Sequence, residues 1–159
     1  MKSVVSRPLV VVLAALVFSL AASSAPAPAD PLVGTWKLNV AKSKYNPGPP
    51  PTSETVTYEA VQGGVKYTVK GSQADGSPIN FAGSLIHDGK DYPSTGTPDY
   101  DTVSTLRISP LPSESIRKKS GKVAQVTTRV VSKDGKSLTL TTKGTTAAGA
   151  TIHNEAVYE

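Results

Sequence analysis

From Gly34 onward the chain is a series of short segments in which apolar and polar residues alternate, and glycine-containing turns separate them. In the first segment, 34–40, every second residue is apolar or glycine, and one of them is Trp36, the only tryptophan of the chain. A period of two is typical of a β-strand with one buried and one exposed face. Because β-branched residues are frequent and no apolar stripe with helical spacing exceeds two turns, the sequence predicts an all-β fold organised around Trp36.

Turn sequences divide the rest of the chain at intervals that suit hairpins. Gln62–Gly64, Ala74–Gly76 and Lys133–Lys136 contain the glycine that tight turns between antiparallel strands favour. The strands predicted after the first lie at 54–60, 65–70, 79–87, 102–109, 113–119, 122–132, 137–143 and 151–158, with a shorter one at 91–93. Eight to ten antiparallel strands at this spacing predict a closed barrel or a sandwich.

A ten-residue segment, Lys70–Ile79, recurs as Lys143–Ile152 with five identical positions. Two equivalent binding lobes would be one interpretation of the repeat. The interpretation favoured here is that both segments form the same kind of hairpin, with glycine where φ is positive.

The first residues have the pattern of an export signal. Lys2 and Arg7 precede an apolar run, Leu9–Leu20, which small residues follow. The run is too short for a membrane span of about 20 residues but suits a signal peptide. We therefore predict a signal peptide at 1–24, a Pro/Ala-rich linker at 25–33 and a barrel domain at 34–159. The protein would be exported, periplasmic or secreted, with no stable membrane insertion after processing.

Charge and cysteine content limit the classes of partner. Loss of Lys2 and Arg7 with the signal lowers the formal net charge from +5 to +3, and Arg117–Lys119 is the longest basic run that remains. Nucleic-acid binders usually carry a basic patch interleaved with aromatic residues, so no nucleic-acid partner is predicted. The chain has no cysteine and hence no disulfide framework. The roughly 130 remaining residues must be stabilised by their core.

The motifs of the common catalytic sites are missing from the sequence. There is no cysteine nucleophile, no G-x-S-x-G, no H-E-x-x-H and no phosphate-binding glycine loop. We therefore predict no enzyme, no catalytic residue and no cofactor. His87 with Asp88, Asp91, Asp99 and Asp101 would be a candidate metal site. However, Asp beside Gly and Pro is ordinary in turns, so no metal is predicted.

Four short motifs together resemble the bacterial secreted lipocalin-like domain proteins. Gly34–Asn39 is similar to the G-x-W strand of lipocalins and to the first strand of intracellular lipid-binding proteins. The others are Lys42–Tyr45 with Pro47-Gly48, Asp88–Pro93 and Val131–Lys136. The resemblance covers about 34–158 and implies a lipocalin-like fold, an antiparallel up-and-down β-barrel of about 8–10 strands.

One lipocalin feature has no counterpart at its usual place. Lipocalins carry a basic residue near the last strand that packs over the tryptophan, but no Lys or Arg follows Lys143. Arg107, Arg117 and Arg129 are the alternatives for a cation–π contact with Trp36, and the sequence does not choose among them.

The alternation also predicts which side chains face the interior of the barrel. The predicted inward set is Trp36, Leu38, Val40, Val56, Tyr58, Val65, Tyr67, Val69, Ile79, Phe81, Leu85, Leu106, Ile108, Ala124, Val126, Val130, Leu138, Leu140, Ile152, Ala156 and Tyr158, joined by Thr128, Thr142 and Asn154. A small barrel is either filled by its side chains or holds one small ligand. Because the domain has only one Phe and one Trp, its interior is not bulky, which favours a cavity.

Two functions of different classes follow. The first is an exported barrel that binds a small apolar or amphipathic molecule, with Tyr58, Tyr67, Phe81 and Tyr158 lining the site. Gly34 and Trp36 would be structural, with Trp36 at one closed end. The alternative is a periplasmic protein-interaction or inhibitor-type barrel without a ligand cavity. Its Pro-rich loop at 47–51 would serve as a rigid contact that loses little entropy on binding a protein partner.

Overall fold

The computed structural model describes residues 30–106 and 112–159. They form one antiparallel sheet in which every strand pairs with the next along the chain. The strands are β1 (Gly34–Lys37), β2 (Ser53–Val61), β3 (Gly64–Ser72), β4 (Pro78–Ile86), β5 (Asp88–Thr95), β6 (Thr102–Leu106), β7 (Ser113–Lys119), β8 (Lys122–Val131), β9 (Leu138–Thr145) and β10 (Thr151–Tyr158). A 3₁₀ turn at Val40–Lys42 follows β1. The predicted all-β, antiparallel up-and-down β-barrel is confirmed.

Backbone hydrogen bonds between the two ends of the sheet nearly close the barrel. The Lys37 N–H donates to the Glu159 carbonyl (2.8 Å), and the Glu159 N–H donates back to the Lys37 carbonyl (2.9 Å). Lys44 and Glu155 exchange a second pair of bonds (2.8 and 2.7 Å). The segment after β1 therefore runs beside β10, and the sheet has no long exposed edge at this junction.

The shortest pairing between consecutive strands lies between β4 and β5. These strands pair only at Ala82–Thr95 and Gly83–Ser94, whereas β3 and β4 pair along their whole length. The prediction of a short strand at 91–93 is corrected here, since β5 begins at Asp88 and contains an irregularity between Asp88 and Asp91.

The two repeated segments form matching hairpin turns, as predicted. In one turn the Gln73 N–H donates to the Ser77 carbonyl (2.8 Å), and in the other the Thr146 N–H donates to the Ala150 carbonyl (2.9 Å). In a meander, alternate connections lie at opposite ends. Both turns therefore lie at the same end of the barrel as the loops 38–52 and 96–101, and we call this the open end.

Apolar side chains fill the other end, the closed end. They are Leu32, Trp36, Val65, Leu85 and Leu138, all in one buried cluster. The Trp36 indole N–H donates to the Leu32 carbonyl (2.8 Å), so this bond ties the chain before β1 to the first strand. Sequence reasoning placed Leu32 in the linker, yet it is fully buried.

Three predicted inward positions are wrong because the side chains are exposed. Val40 lies in the 3₁₀ turn, Leu106 is 64% exposed at the end of β6, and Val130 is 45% exposed on β8. Arg107 and Ile108 lie outside the described residues.

The error at Val130 is part of a phase error along β8. The sequence places Ala124, Val126, Thr128 and Val130 inside, but the structure buries the intervening residues, Gln125, Thr127 and Arg129. The reason is tertiary: the interior next to β8 is polar, and the buried side chains form hydrogen bonds there.

Candidate functional site

A cavity of about 520 Å³ lies inside the barrel. Pro47 and Pro49, Gln73, Pro98 and Thr146, from four connections at the open end, contribute to its lining. None of the five side chains that fill the closed end lines it. The volume is within the range of about 300–1,000 Å³ that is usual for small-molecule sites.

The four aromatic residues predicted for the ligand site all line this cavity. The ring centroids of Tyr58 and Tyr67 are 6.3 Å apart, and those of Tyr67 and Phe81 are 6.4 Å apart in an edge-to-face arrangement. Tyr158 reaches the cavity from β10. The structure thus brings all four together, and their role in binding stays a prediction. Trp36 does not line the cavity.

The position of Tyr67 depends on a glycine in the neighbouring strand. Tyr67 pairs with Gly83 across β3 and β4, and its ring lies over the glycine. A Cβ atom added to Gly83 would lie 2.5 Å from the Tyr67 hydroxyl oxygen, too close for any side chain. The Tyr67 hydroxyl is in hydrogen-bonding distance of Ser94 Oγ (3.1 Å), which also bridges the short β4–β5 pairing. A glycine inside a strand often marks a place where another group approaches the backbone closely, so Gly83 was a sign of this contact in the sequence.

One side of the cavity, which we call the apolar wall, is formed by β2, β3 and β4. Its inward-facing side chains at the cavity are Val56, Tyr58, Tyr67, Val69, Ile79 and Phe81, with Glu54 as the charged exception, and Pro78 and Asn80 at the start of β4 also contribute to the lining. Most of these side chains also belong to the core cluster. The apolar wall is therefore continuous with the packing that fills the closed end.

The opposite side, which we call the polar wall, is formed by the inward faces of β7 and β8. Three cross-strand pairs make it up, namely Arg117–Gln125, Ser115–Thr127 and Ser113–Arg129. All six side chains are polar, and only Arg117 is more than slightly exposed. Arg117, Gln125 and Arg129 reach the cavity directly.

Arg129 spans the space between the two walls. It is 2% exposed, its Nη1 donates to Ser115 Oγ (2.8 Å), and its Nε donates to the Tyr58 hydroxyl on the apolar wall (3.4 Å). Its charge is therefore held by hydroxyl groups rather than by a carboxylate.

Arg117 lies against the loop between β5 and β6. Its guanidinium carbon is 4.7 Å from the centroid of the Tyr100 ring, and its Nη1 donates to Gln125 Oε1 (3.1 Å). Its Nε is buried and has no hydrogen-bond partner among the residues that the structure describes. Within the described ranges, neither Arg117 nor Arg129 forms an ion pair with a carboxylate. The guanidinium groups of Arg117 and Arg129 contact Tyr100 and Tyr58 respectively. The cation–π contact with Trp36 that the sequence suggested for one of them is therefore not formed by either.

Two carboxyl groups also line the cavity. The Tyr158 hydroxyl donates to Glu54 Oε1, and burial raises the pKa of Glu54, an effect that this hydrogen bond and the charge of Arg117 partly offset. Asp99 accepts from the Ala147 backbone N–H (2.9 Å) and from Gln125 Nε2 (3.5 Å). Each carboxyl group therefore already has a partner that is not an arginine.

The Pro-rich loop lies along the rim of the cavity. The His153 N–H of β10 donates to the Asn46 carbonyl (2.7 Å), and Asn154 Oδ1 accepts from the Asn46 N–H (3.1 Å). Tyr45 and Pro51 point into the cavity lining, while Pro47 and Pro49 are exposed as well as lining it. The loop thus forms part of the cavity mouth.

Sequence reasoning missed the polar wall, although it noted both arginines as partners for Trp36. One feature of the sequence pointed to the polar wall. In the predicted barrel domain arginine occurs at three positions and lysine at twelve, and Arg117 and Arg129 both fall inside predicted strands. Arginine is the cation that proteins prefer for buried polar contacts, so its rarity elsewhere was informative.

The described residues give no sign of a metal centre, since no three His, Cys, Asp or Glu side chains in 30–106 and 112–159 gather closely enough to hold an ion. In the same ranges, no helix has the length and apolar character that crossing a membrane requires. Comparisons of the chain with family models, curated proteins and solved structures found no match. The lipocalin-like family therefore stays a prediction from the motifs.

Proposed function

We propose that this barrel binds a small amphipathic molecule in its interior and that the protein is exported to do so, into the periplasm or beyond the cell. The observation that carries the proposal is the pairing of an apolar and a polar wall across one cavity. A molecule with an apolar body and a polar end can contact both walls at once, whereas a purely apolar one would offer no hydrogen-bonding group to the polar wall.

The position of the cavity also supports this function. Its lining includes residues from several connections at the open end, while packed side chains fill the closed end. A ligand could therefore enter at the rim without unfolding a strand pair.

The alternative function, a protein-interaction barrel without a ligand cavity, retains one supporting observation. Pro47 and Pro49 are exposed on a loop that is fixed to β10. However, Pro47, Pro49 and Pro51 of the same loop line the cavity, which suits a rim better than a separate contact surface.

The test is calorimetric titration of the protein with ten-carbon compounds that share one alkyl chain and differ in their head group. We expect at least one compound to bind, and Phe81→Ala to weaken its binding about five- to thirtyfold because apolar contact area is lost. Calorimetry is preferred to tryptophan emission because Trp36 lies outside the cavity lining.

Val130→Ala is the matched control, since it removes apolar atoms from the outer face of β8. It should leave the dissociation constant unchanged. If none of the compounds binds, the cavity has no such ligand and the protein-interaction function is favoured instead.

A further inference from the structure

We propose that the ligand of this cavity is an amphipathic anion whose oxyanion head is bound by Arg117 and Arg129 on the polar wall. The inference rests on the proposed function, because it names the chemical class of the molecule that the cavity would take. A carboxylate, a sulfate ester or a phosphate ester would supply the same head-group chemistry.

The first observation is the hydrogen-bonding state of Arg117. A guanidinium group carries five N–H donors in one plane and stays charged at any pH that proteins experience. In Arg117, one Nη donates to Gln125, the ring of Tyr100 covers one face of the guanidinium, and the buried Nε has no partner within 30–106 and 112–159. A buried donor without an acceptor costs about 1–3 kcal/mol, so a ligand that supplies one would be favoured there.

The second observation is the direction in which Arg129 extends. Arg129 pairs with Ser113 across the strands, yet its Nη1 reaches Ser115, one inward residue closer to Arg117. The Arg129 guanidinium therefore extends along the polar wall in the direction of Arg117. Two like charges in one cavity repel each other, and an anion bound near both would offset that repulsion.

The third observation is the charge balance of the cavity. Its ionisable lining comprises the two arginines, Glu54, Asp99 and several tyrosines. Asp99 is held by Ala147 and Gln125, and Glu54 by Tyr158. Among the described residues no carboxylate forms a salt bridge with either guanidinium, and only the more distant charge of Glu54 acts on Arg117. Buried charges in proteins are nearly always paired, which leaves the oxyanion of a ligand as the missing partner.

A purely structural role for the two arginines fits these observations less well. The hydroxyl partners of Arg129 and the amide partner of Arg117 could be held equally well by a neutral side chain without the cost of burying a charge. A bidentate oxyanion matches the planar fork of a guanidinium, and this geometry is the usual reason for arginine at such a site.

The experiment compares three probes with the same tail, decanoate, 1-decanol and decyltrimethylammonium, by calorimetry on the wild-type protein. We expect decanoate to bind at least about tenfold more tightly than 1-decanol, and decyltrimethylammonium most weakly. Added salt should weaken decanoate binding and leave 1-decanol binding nearly unchanged.

The variant Arg117→Met should lower the affinity for decanoate about ten- to a hundredfold while changing that for 1-decanol by less than about threefold. Arg117→Lys should retain part of the preference for decanoate over 1-decanol, because lysine keeps the positive charge but lacks the planar set of N–H donors of a guanidinium. Lys118→Met is the matched control. It removes one positive charge from the next residue, whose Nζ pairs with Asp91 (2.8 Å) and which does not line the cavity.

Equal binding of decanoate and 1-decanol to the wild type would overturn the inference and leave the proposed function standing. Failure of all three probes to bind would overturn both. An equal loss of decanoate affinity in Arg117→Met and Lys118→Met would also overturn the inference, because the preference would then reflect the overall charge. The comparison of probes on the wild type decides the question even if Arg117→Met does not fold.

Discussion

The apolar wall and the polar wall belong to one meander but follow opposite rules. On β2, β3 and β4 the side chains that face inward are mainly valines, isoleucine and aromatic residues, as in the core of any small barrel. On β7 and β8 the inward residues are serines, a threonine, a glutamine and two arginines, whereas Val130 of β8 faces outward. The barrel therefore places its apolar packing mainly on one side.

The difference shows what each wall contributes. Burial of apolar area stabilises the fold, and the apolar wall supplies it together with the closed end. The polar wall contributes less to stability, because each buried polar group exchanges bonds with water for bonds within the protein, and a buried charge costs more than its contacts return. Departures from local rules of this kind are most often found at functional sites.

The largest effect is expected at the point where the apolar packing meets the closed end. Trp36→Ala should lower the free energy of unfolding by about 3–5 kcal/mol, because a large buried side chain is removed and the Leu32 carbonyl loses its donor. Urea unfolding followed by circular dichroism measures it. A variant that melts within a degree or two of the wild type would show that Trp36 does not organise this end.

A smaller loss of stability is expected at Gly83, where the apolar wall is too tightly packed to accept a side chain. Gly83→Ala should destabilise the protein by about 1–3 kcal/mol, because its methyl group would displace the Tyr67 ring. The same urea experiment measures it, and Gly48→Ala is the control, since no atom lies closer than 3.8 Å to the added Cβ. Equal stabilities of the two variants would mean that Tyr67 is not held in place by Gly83.

The polar wall should respond in the opposite way. Arg117→Met should change the free energy of unfolding by less than about 1 kcal/mol in either direction, because the lost contacts are offset by the relief of a buried charge. Thermal melting without ligand measures it. A loss of several kcal/mol would show that both walls stabilise the fold, and the contrast drawn between them would disappear.

The smallest effect concerns Glu54, the charged exception on the apolar wall. Burial raises the pKa of Glu54 above its ordinary value of 4.5, so the folded protein holds this proton more tightly than the unfolded chain does. The stabilisation of the folded protein by protonated Glu54 is complete below pH 4.5 and is lost as the pH rises through the pKa that Glu54 has in the folded state.

Urea unfolding at several pH values between 4 and 8 tests this expectation. The stability of Glu54→Gln should decline less over this range than that of the wild type, since the variant has no proton to lose at this position. Parallel pH profiles would mean that the Glu54 carboxyl group is not desolvated by the apolar wall.

Much of the fold could be predicted from the sequence because it depends on local signals. Glycine turns and alternation gave the order of the strands, and the inward phase on β2, β3 and β4 was right because apolar and polar residues there separate cleanly onto two faces. The same phase placed Tyr58, Tyr67, Phe81 and Tyr158 on one cavity. For these strands, hydrophobic burial alone decides which face lies inside.

The sequence by itself determined an all-β meander with Trp36 and four aromatic side chains inside it. Only the tertiary structure decided that Leu32 belongs to the core, that the Pro-rich loop lies on the cavity rim, and that β8 turns its polar face inward. Alternation shows which residues share a face but not which face is buried. On β8 that choice depends on contacts such as the bond from Arg129 to Tyr58, which lies 71 residues away in the chain, and no local pattern encodes such a contact.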